Sequence, residues 1–190
     1  TATVLGADVM LRAGDRNVGA DGVLLTNNAV IGASGGEIHL TADDMALAGG
    51  TIDVDVTDLA VTDGQHVYLN PLNLGDGVDI GAATYSDAND NFLALSEAEL
   101  QTILEEFNSM VIIGADDRDL TAVGTEIING QIVVSADVNI DGGAYESSLG
   151  LFTENSGTGA GTEAISGDGN LLTANWLAFQ GTGEINVDID

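Results

Sequence analysis

The sequence predicts an all-β fold, a parallel β-helix (β-solenoid) with one short helical insertion, on three observations. Short aliphatic runs recur along nearly all of the 190 residues, Gly-rich turns separate them, and fragments of the chain resemble one another. The runs, in order, are Val9 to Leu11, Val23 to Leu25, Ile38 to Leu40, Ile52 to Val56, Val67 to Leu69 and Val78 to Ile80. They continue with Val111 to Ile113, Ile132 to Val134, Val138 to Ile140 and Glu184 to Ile189. Between them Ala20-Asp21-Gly22, Gly35-Gly36, Gly49-Gly50, Asp63-Gly64, Asp76-Gly77, Asn129-Gly130 and Gly142-Gly143 supply residues that turn the chain at low cost.

Within the runs the alternation is often strict, as in Ile52-Asp53-Val54-Asp55-Val56, which sends aliphatics to one face and carboxylates to the other. Ile52, Val54, Val56, Val111, Ile113, Ile132, Val134, Val138 and Ile140 are therefore expected to point inward. A Greek-key sandwich would alternate in a comparable way. The self-similarity of Gly36 to Leu47 and Gly130 to Ile140 favours stacked repeats instead. One helix is expected over about 96–108, because Ser96 and Glu99 form a capping box and Leu100, Ile103, Leu104 and Phe107 recur at helical spacing. The stretch of about 147–169, rich in Ser, Gly, Thr and Glu, reads as an irregular loop, and residues 1–190 as a single segment.

Composition limits the function. A formal charge of -28, from 31 Asp and Glu against 3 Lys and Arg, repels phosphates and anionic lipid, so nucleic acid is not an expected partner. No run of 18 apolar residues or signal-peptide pattern occurs, so membrane insertion is not expected and the chain reads as mature or excised. With 44% hydrophobic and 18% charged residues the chain should fold, and without Cys it has neither disulfides nor thiolate metal sites.

The stretch Ile38-His39-Leu40-Thr41-Ala42-Asp43-Asp44-Met45-Ala46-Leu47-Ala48-Gly49-Gly50-Thr51-Ile52 resembles the haemagglutinin-type repeats of filamentous haemagglutinin-like bacterial exoproteins. Leu95-Ser96-Glu97-Ala98-Glu99-Leu100, followed by Met110-Val111-Ile112-Ile113-Gly114, is similar to an insert that punctuates many giant members of that group. The resemblance covers roughly residues 1–145. It implies a right-handed parallel β-helix from a very large secreted or bacterial cell-surface protein used in adhesion or as an extracellular fibre, with surface carbohydrate a candidate partner. The chain departs from the group in being far more acidic and free of Lys.

Several clusters carry candidate chemistry. Asp87, Asn89, Asp90 and Asn91 fall in a D-x-N-D-N order whose hard oxygens suit Ca²⁺, and a polar turn before the helix explains the same residues. Asp116-Asp117-Arg118-Asp119 reads as a surface ion pair in a loop, and Asp43-Asp44 as a corner. His39 and His66 lie on outward phases with no nucleophile nearby and read as exposed. Trp176 suits sugar stacking, but its apolar neighbours Leu177, Ala178 and Phe179 favour packing into a core or interface.

No catalytic constellation emerges. The expected function is a structural or adhesive extracellular module that stacks head to tail on identical or homologous units through Val4, Leu5, Ile185, Val187 and Ile189. The rivals are a carbohydrate-active β-helix enzyme, marked by converging carboxylates in a groove, and a calcium-dependent surface-binding module.

Overall fold

The computed structural model describes residues 4–6, 8–13, 24–26, 30–33, 36–42, 44–53, 66–81, 92–103, 110–116, 126–140, 148–158 and 162–190. Short strands dominate. The first are β1 (Val4–Gly6), β2 (Val9–Arg12), β3 (Leu24–Thr26), β4 (Val30–Ala33), β5 (Ile38–Thr41), β6 (Asp44–Ala46) and β7 (Thr51–Asp53). Next come β8 (His66–Asn70), β9 (Gly77–Ile80), β10 (Phe92–Leu95), helix α1 (Glu97–Ile103), β11 (Met110–Ile113), β12 (Ala115–Asp116) and β13 (Glu126–Ile127). The last are β14 (Ile132–Val134), β15 (Val138–Asn139), β16 (Ser148–Thr153), β17 (Ile165–Thr173), β18 (Trp176–Gly181) and β19 (Ile185–Ile189).

Among the described residues, pairing is parallel except between β12 and β13. The fold is therefore all-β with parallel sheets, as expected. One sheet has the order β18-β16-β11-β8-β5-β2, a second runs β10-β9-β14-β17-β15 with β19 also on β17, and a third is β1-β4-β7. In the first sheet the register puts Val9, Ile38, Val67, Val111, Leu149 and Leu177 in one column. Two residues on, Leu11, Leu40, Leu69, Ile113, Leu151 and Phe179 make a second. Both columns face the core, which the second sheet extends with Val78, Ile132 and Ile165. A one-residue slip would turn every one of these side chains to water, so the alternation in the sequence fixes the register.

Of the residues expected inside, Ile52, Val111, Ile113, Ile132, Val134, Val138 and Ile140 are each no more than 1% exposed. Val54 and Val56 lie outside the described residues. Corners are tied by side chains to backbone groups that the ladders leave over. Thr153 Oγ1 donates to the Gly130 carbonyl at 2.7 Å and accepts from the Asn155 N–H at 3.0 Å. Thr182 Oγ1 donates to the Glu154 carbonyl at 2.6 Å.

Helix α1 forms where the capping box predicts it. The Glu99 N–H donates to Ser96 Oγ at 3.3 Å, while Glu99 Oε2 accepts from the Ser96 N–H at 2.8 Å and its hydroxyl at 2.7 Å. Glu99 Oε1 accepts the Leu47 N–H at 3.0 Å, so the same carboxylate anchors the helix to the strand region. Leu100 and Ile103 are buried, and α1 packs against β7. On its other side Gln101 Nε2 donates to the Asn139 carbonyl in β15 at 2.8 Å. Leu104 and Phe107 lie outside the described residues.

One expectation is corrected. The stretch read as an irregular loop contains β16 and the first half of β17, in register with β11 and β14. Ser148 and Gly150 made it look like loop, yet they occupy outward positions that ask for no apolar group, while Leu149 and Leu151 fill the core columns. Asp44, read as a corner residue, stands where the chain leaves β5 and opens β6 in another sheet, and it is buried there; Asp43 lies outside the described residues.

Candidate functional site

The outward side chains of the first sheet, β18-β16-β11-β8-β5-β2, form the most distinctive surface. Alternation that sends Ile38, Leu40, Val67 and Leu69 inward must send His39, His66, Tyr68 and Asn70 outward. The register then aligns Met10, His39, Tyr68, Ile112, Gly150 and Ala178 in an outer column. Neighbouring strands lie about 4.8 Å apart, close to the stacking distance of flat rings. Accordingly the His39 and Tyr68 rings stack with centroids 4.5 Å apart and planes 1° from parallel. Glu37 locks the pair, its Oε2 3.3 Å from His39 Nε2 and its Oε1 accepting from the Tyr68 hydroxyl at 3.2 Å. His66 meets Tyr68 edge-on, centroids 6.1 Å apart.

This face is partly roofed. At Gly114 the backbone takes φ +84°, and a Cβ there would collide with the Phe152 carbonyl oxygen, so glycine is required for the chain to leave β11 and form the β12–β13 pair. Asn70 Nδ2 donates to the Ala115 carbonyl at 3.0 Å and holds β12 to β8. Tyr68, Ile112 and Ala115 make a second buried apolar cluster on this side, with Met110, Ile127 and Phe152 packed against it. Gly150 allows the Phe152 ring to lie back over its own strand, since a Cβ at 150 would sit 2.5 Å from Phe152 Cε2.

Between sheet and roof is a cavity of about 320 Å³, lined by His66, Tyr68, Ile112, Ala115, Ile127, Phe152 and Gln180. Its walls are chiefly apolar, with polar groups from His66 and Gln180. His66 Nδ1 is shut off from solvent with no hydrogen-bond partner among the described residues. Such a site can hold a small ring-shaped ligand against Phe152 and Tyr68 and offer a few hydrogen bonds.

A second polar feature lies on the second sheet. Asp79 stands on β9 between Ala94 and Val133, and burial raises its carboxyl above the ordinary carboxylate value, with a Ser135 hydrogen bond partly opposing this. Its Oδ1 is buried without a hydrogen-bond partner among the described residues.

The residues singled out in the sequence fall as follows. Asp87, Asn89, Asp90 and Asn91 lie outside the described residues, as do Asp117, Arg118 and Asp119; Asp116 stands in β12. Among the described residues no three His, Asp or Glu side chains converge as a metal site, and no helix is long and apolar enough to cross a membrane. His39, expected exposed, is buried, because Tyr68 stacks on one face of its ring and Glu37 pairs with its Nε2 edge; His66 is half-buried. Trp176, expected in a core or interface, is 51% exposed, because in β18 it alternates with Leu177 and Phe179, which take the inward positions. Val4, Ile185 and Ile189 are exposed, and Val187 is partly buried against the core; Leu5 lies in β1.

The sequence reading passed over Glu37, Tyr68, Ile112 and Phe152. A signal was present: from Val9 to Ile38 and from Ile38 to Val67 the chain advances 29 residues each time, a constant offset that puts His39 beside Tyr68. No family model, curated protein or solved structure matches the chain.

Proposed function

We propose that the chain is a structural or adhesive extracellular module of the filamentous haemagglutinin-like kind, coiled as a parallel β-helix that stacks head to tail on identical or homologous units. The observation that carries the reading is a set of continuous inner columns left uncovered at one edge. Ile185 continues the column of Val78, Ile132 and Ile165, and Ile189 that of Val138 and Leu172. Their predecessors are fully buried, yet Ile185 is 43% and Ile189 58% exposed, because among the described residues β19 pairs only with β17. A further parallel strand laid on β19 would cover both and satisfy its remaining backbone groups. Such a contact joins unlike surfaces and propagates as a fibre, while the charge of -28 discourages side-by-side clumping.

Negative-stain electron microscopy and sedimentation of the purified chain test this. Concentration-dependent filaments are expected, abolished by Ile185→Asp with Ile189→Asp, since carboxylates in the covered layer would be desolvated without partners. Single compact particles at high concentration would overturn the reading.

A further inference from the structure

We propose that the cavity under the β12–β13 pair binds one neutral sugar ring, which would give the adhesive module its ligand site and rests on the adhesive reading above. Four observations narrow the occupant. The volume of about 320 Å³ is at the small end for ligand pockets and suits one pyranose ring better than a chain of them. The Phe152 ring, lying back over Gly150 and only partly buried, offers the aromatic surface on which the C–H face of a pyranose packs, and the buried Tyr68 with Ile112 and Ile127 closes the apolar sides.

Polar groups meet the hydroxyls. His66 Nδ1 is buried and unpartnered among the described residues, and a purely apolar occupant would leave it so. His66 also lines the cavity, so a sugar hydroxyl seated against its ring would supply the missing partner. Gln180, exposed at the cavity's edge, adds a donor and an acceptor. Charge supplies the last restriction: the lining has no Lys or Arg and the chain carries -28, so a uronic acid, sialic acid or phosphosugar enters against the field.

The test is saturation-transfer NMR and calorimetry on the whole chain with the methyl glycosides of glucose, galactose and mannose and with N-acetylglucosamine, using glucuronate and choline as controls. At least one neutral sugar is expected to bind in the millimolar range, with glucuronate and choline weaker. Phe152→Ala should weaken binding about tenfold by removing the stacking surface. Gln180→Ala, on an exposed side chain, should weaken it severalfold with the thermal midpoint unchanged, and it carries the test if Phe152→Ala fails to fold. Binding by no neutral sugar, preference for glucuronate or choline, or binding indifferent to Gln180→Ala would overturn the proposal. Micrographs of the same samples separate the two readings: filaments without sugar binding overturn only the cavity, and sugar binding without filaments overturns only the stacking.

Discussion

Leu69 sits at the middle of an inner column, with Leu40 in register on one side and Ile113 on the other, and all three are completely buried. Leu69→Ala removes three carbons from that layer, worth about 2.4 kcal/mol of transfer free energy at about 0.8 kcal/mol per methylene. The ladders hold neighbouring strands at their spacing, so the adjoining side chains can close only part of the gap. A residual void of about 50 Å³ adds about 1 kcal/mol at about 24 cal/mol per Å³. The expected loss is therefore about 3.5 kcal/mol. Leu11 is the control: it lies at the outer strand of the same column, half-buried, with Leu40 its one in-register neighbour among the described residues. Leu11→Ala should cost about 1 kcal/mol, because less area leaves water there and solvent fills the gap. Urea unfolding followed by far-UV circular dichroism reads both, as a shift in midpoint at constant slope. Equal losses for Leu69→Ala and Leu11→Ala, or a loss under about 1 kcal/mol at Leu69, would refute the assignment of this column to a closely packed interior.

Glu99→Ala should cost about 2–4 kcal/mol, because it strips the acceptor from the Leu47 and Ser96 N–H groups and breaks the helix cap; unchanged amide exchange at Leu47 would contradict it. Glu99→Gln should recover only part, since one amide oxygen cannot accept at both places. Asp79 sets a pH dependence. Burial raises its folded-state pKa, so its contribution favours folding below the ordinary value of 3.8 and is lost as pH rises through the raised one. Asp79→Asn should therefore be more stable than wild type at pH 7, with the gain shrinking on acidification; a pH-independent difference in thermal midpoint would sink this account. Self-repulsion from the charge of -28 should make the thermal midpoint rise between 0.01 and 1 M NaCl, as the screening length falls from about 30 Å to about 3 Å. At equal ionic strength Ca²⁺ should exceed Mg²⁺ only if Asp87, Asn89, Asp90 and Asn91 form a site, and Asp90→Ala should then erase the difference.

Much of the interior was legible because period-2 alternation is a local property. Ile132 and Val134 flank an outward residue, and so do Val111 and Ile113, whatever they pair with. The helix was legible for the same reason: Ser96 and Glu99 stand three residues apart, and the hydrogen bonds that join them span no more than that. What the sequence concealed was non-local. Ser148 to Thr153 reads as loop until β11 is laid beside it, when Leu149 and Leu151 fall into step with Val111 and Ile113 and the intervening Gly150 becomes an outward position. Trp176 was a different failure. Its apolar neighbours suggested burial, whereas parity alone sends it to the face opposite Leu177 and Phe179.

Parity also explains why the candidate site lies on the outer face of one sheet. Inward positions must be aliphatic to fill the columns, and the turns call for Gly, Asn and Asp, so the choice of side chain is least constrained at the outward positions. On β9, β10 and β14 those positions hold Asp79, Ala94 and Val133 in a row, with Ser166 following Val133 on β17. On the sheet β18-β16-β11-β8-β5-β2 they hold His39, Tyr68, Ile112, Phe152 and Trp176. The chain has four Phe, three Tyr and one Trp, and among the described residues Tyr68, Phe152 and Trp176 stand on this single outer face, outside the main core. Two of them, Tyr68 and Phe152, are neighbours of the same cavity. Tyr68 is already covered by its own cluster, but Phe152 keeps part of its ring in water; aromatic surface left in water costs free energy unless something covers it, and an occupant that packs against a ring and carries no negative charge would do so. Stacking between units would use the strand edges and not this face, so a module that polymerises through β19 would keep it open along the whole length of its fibre.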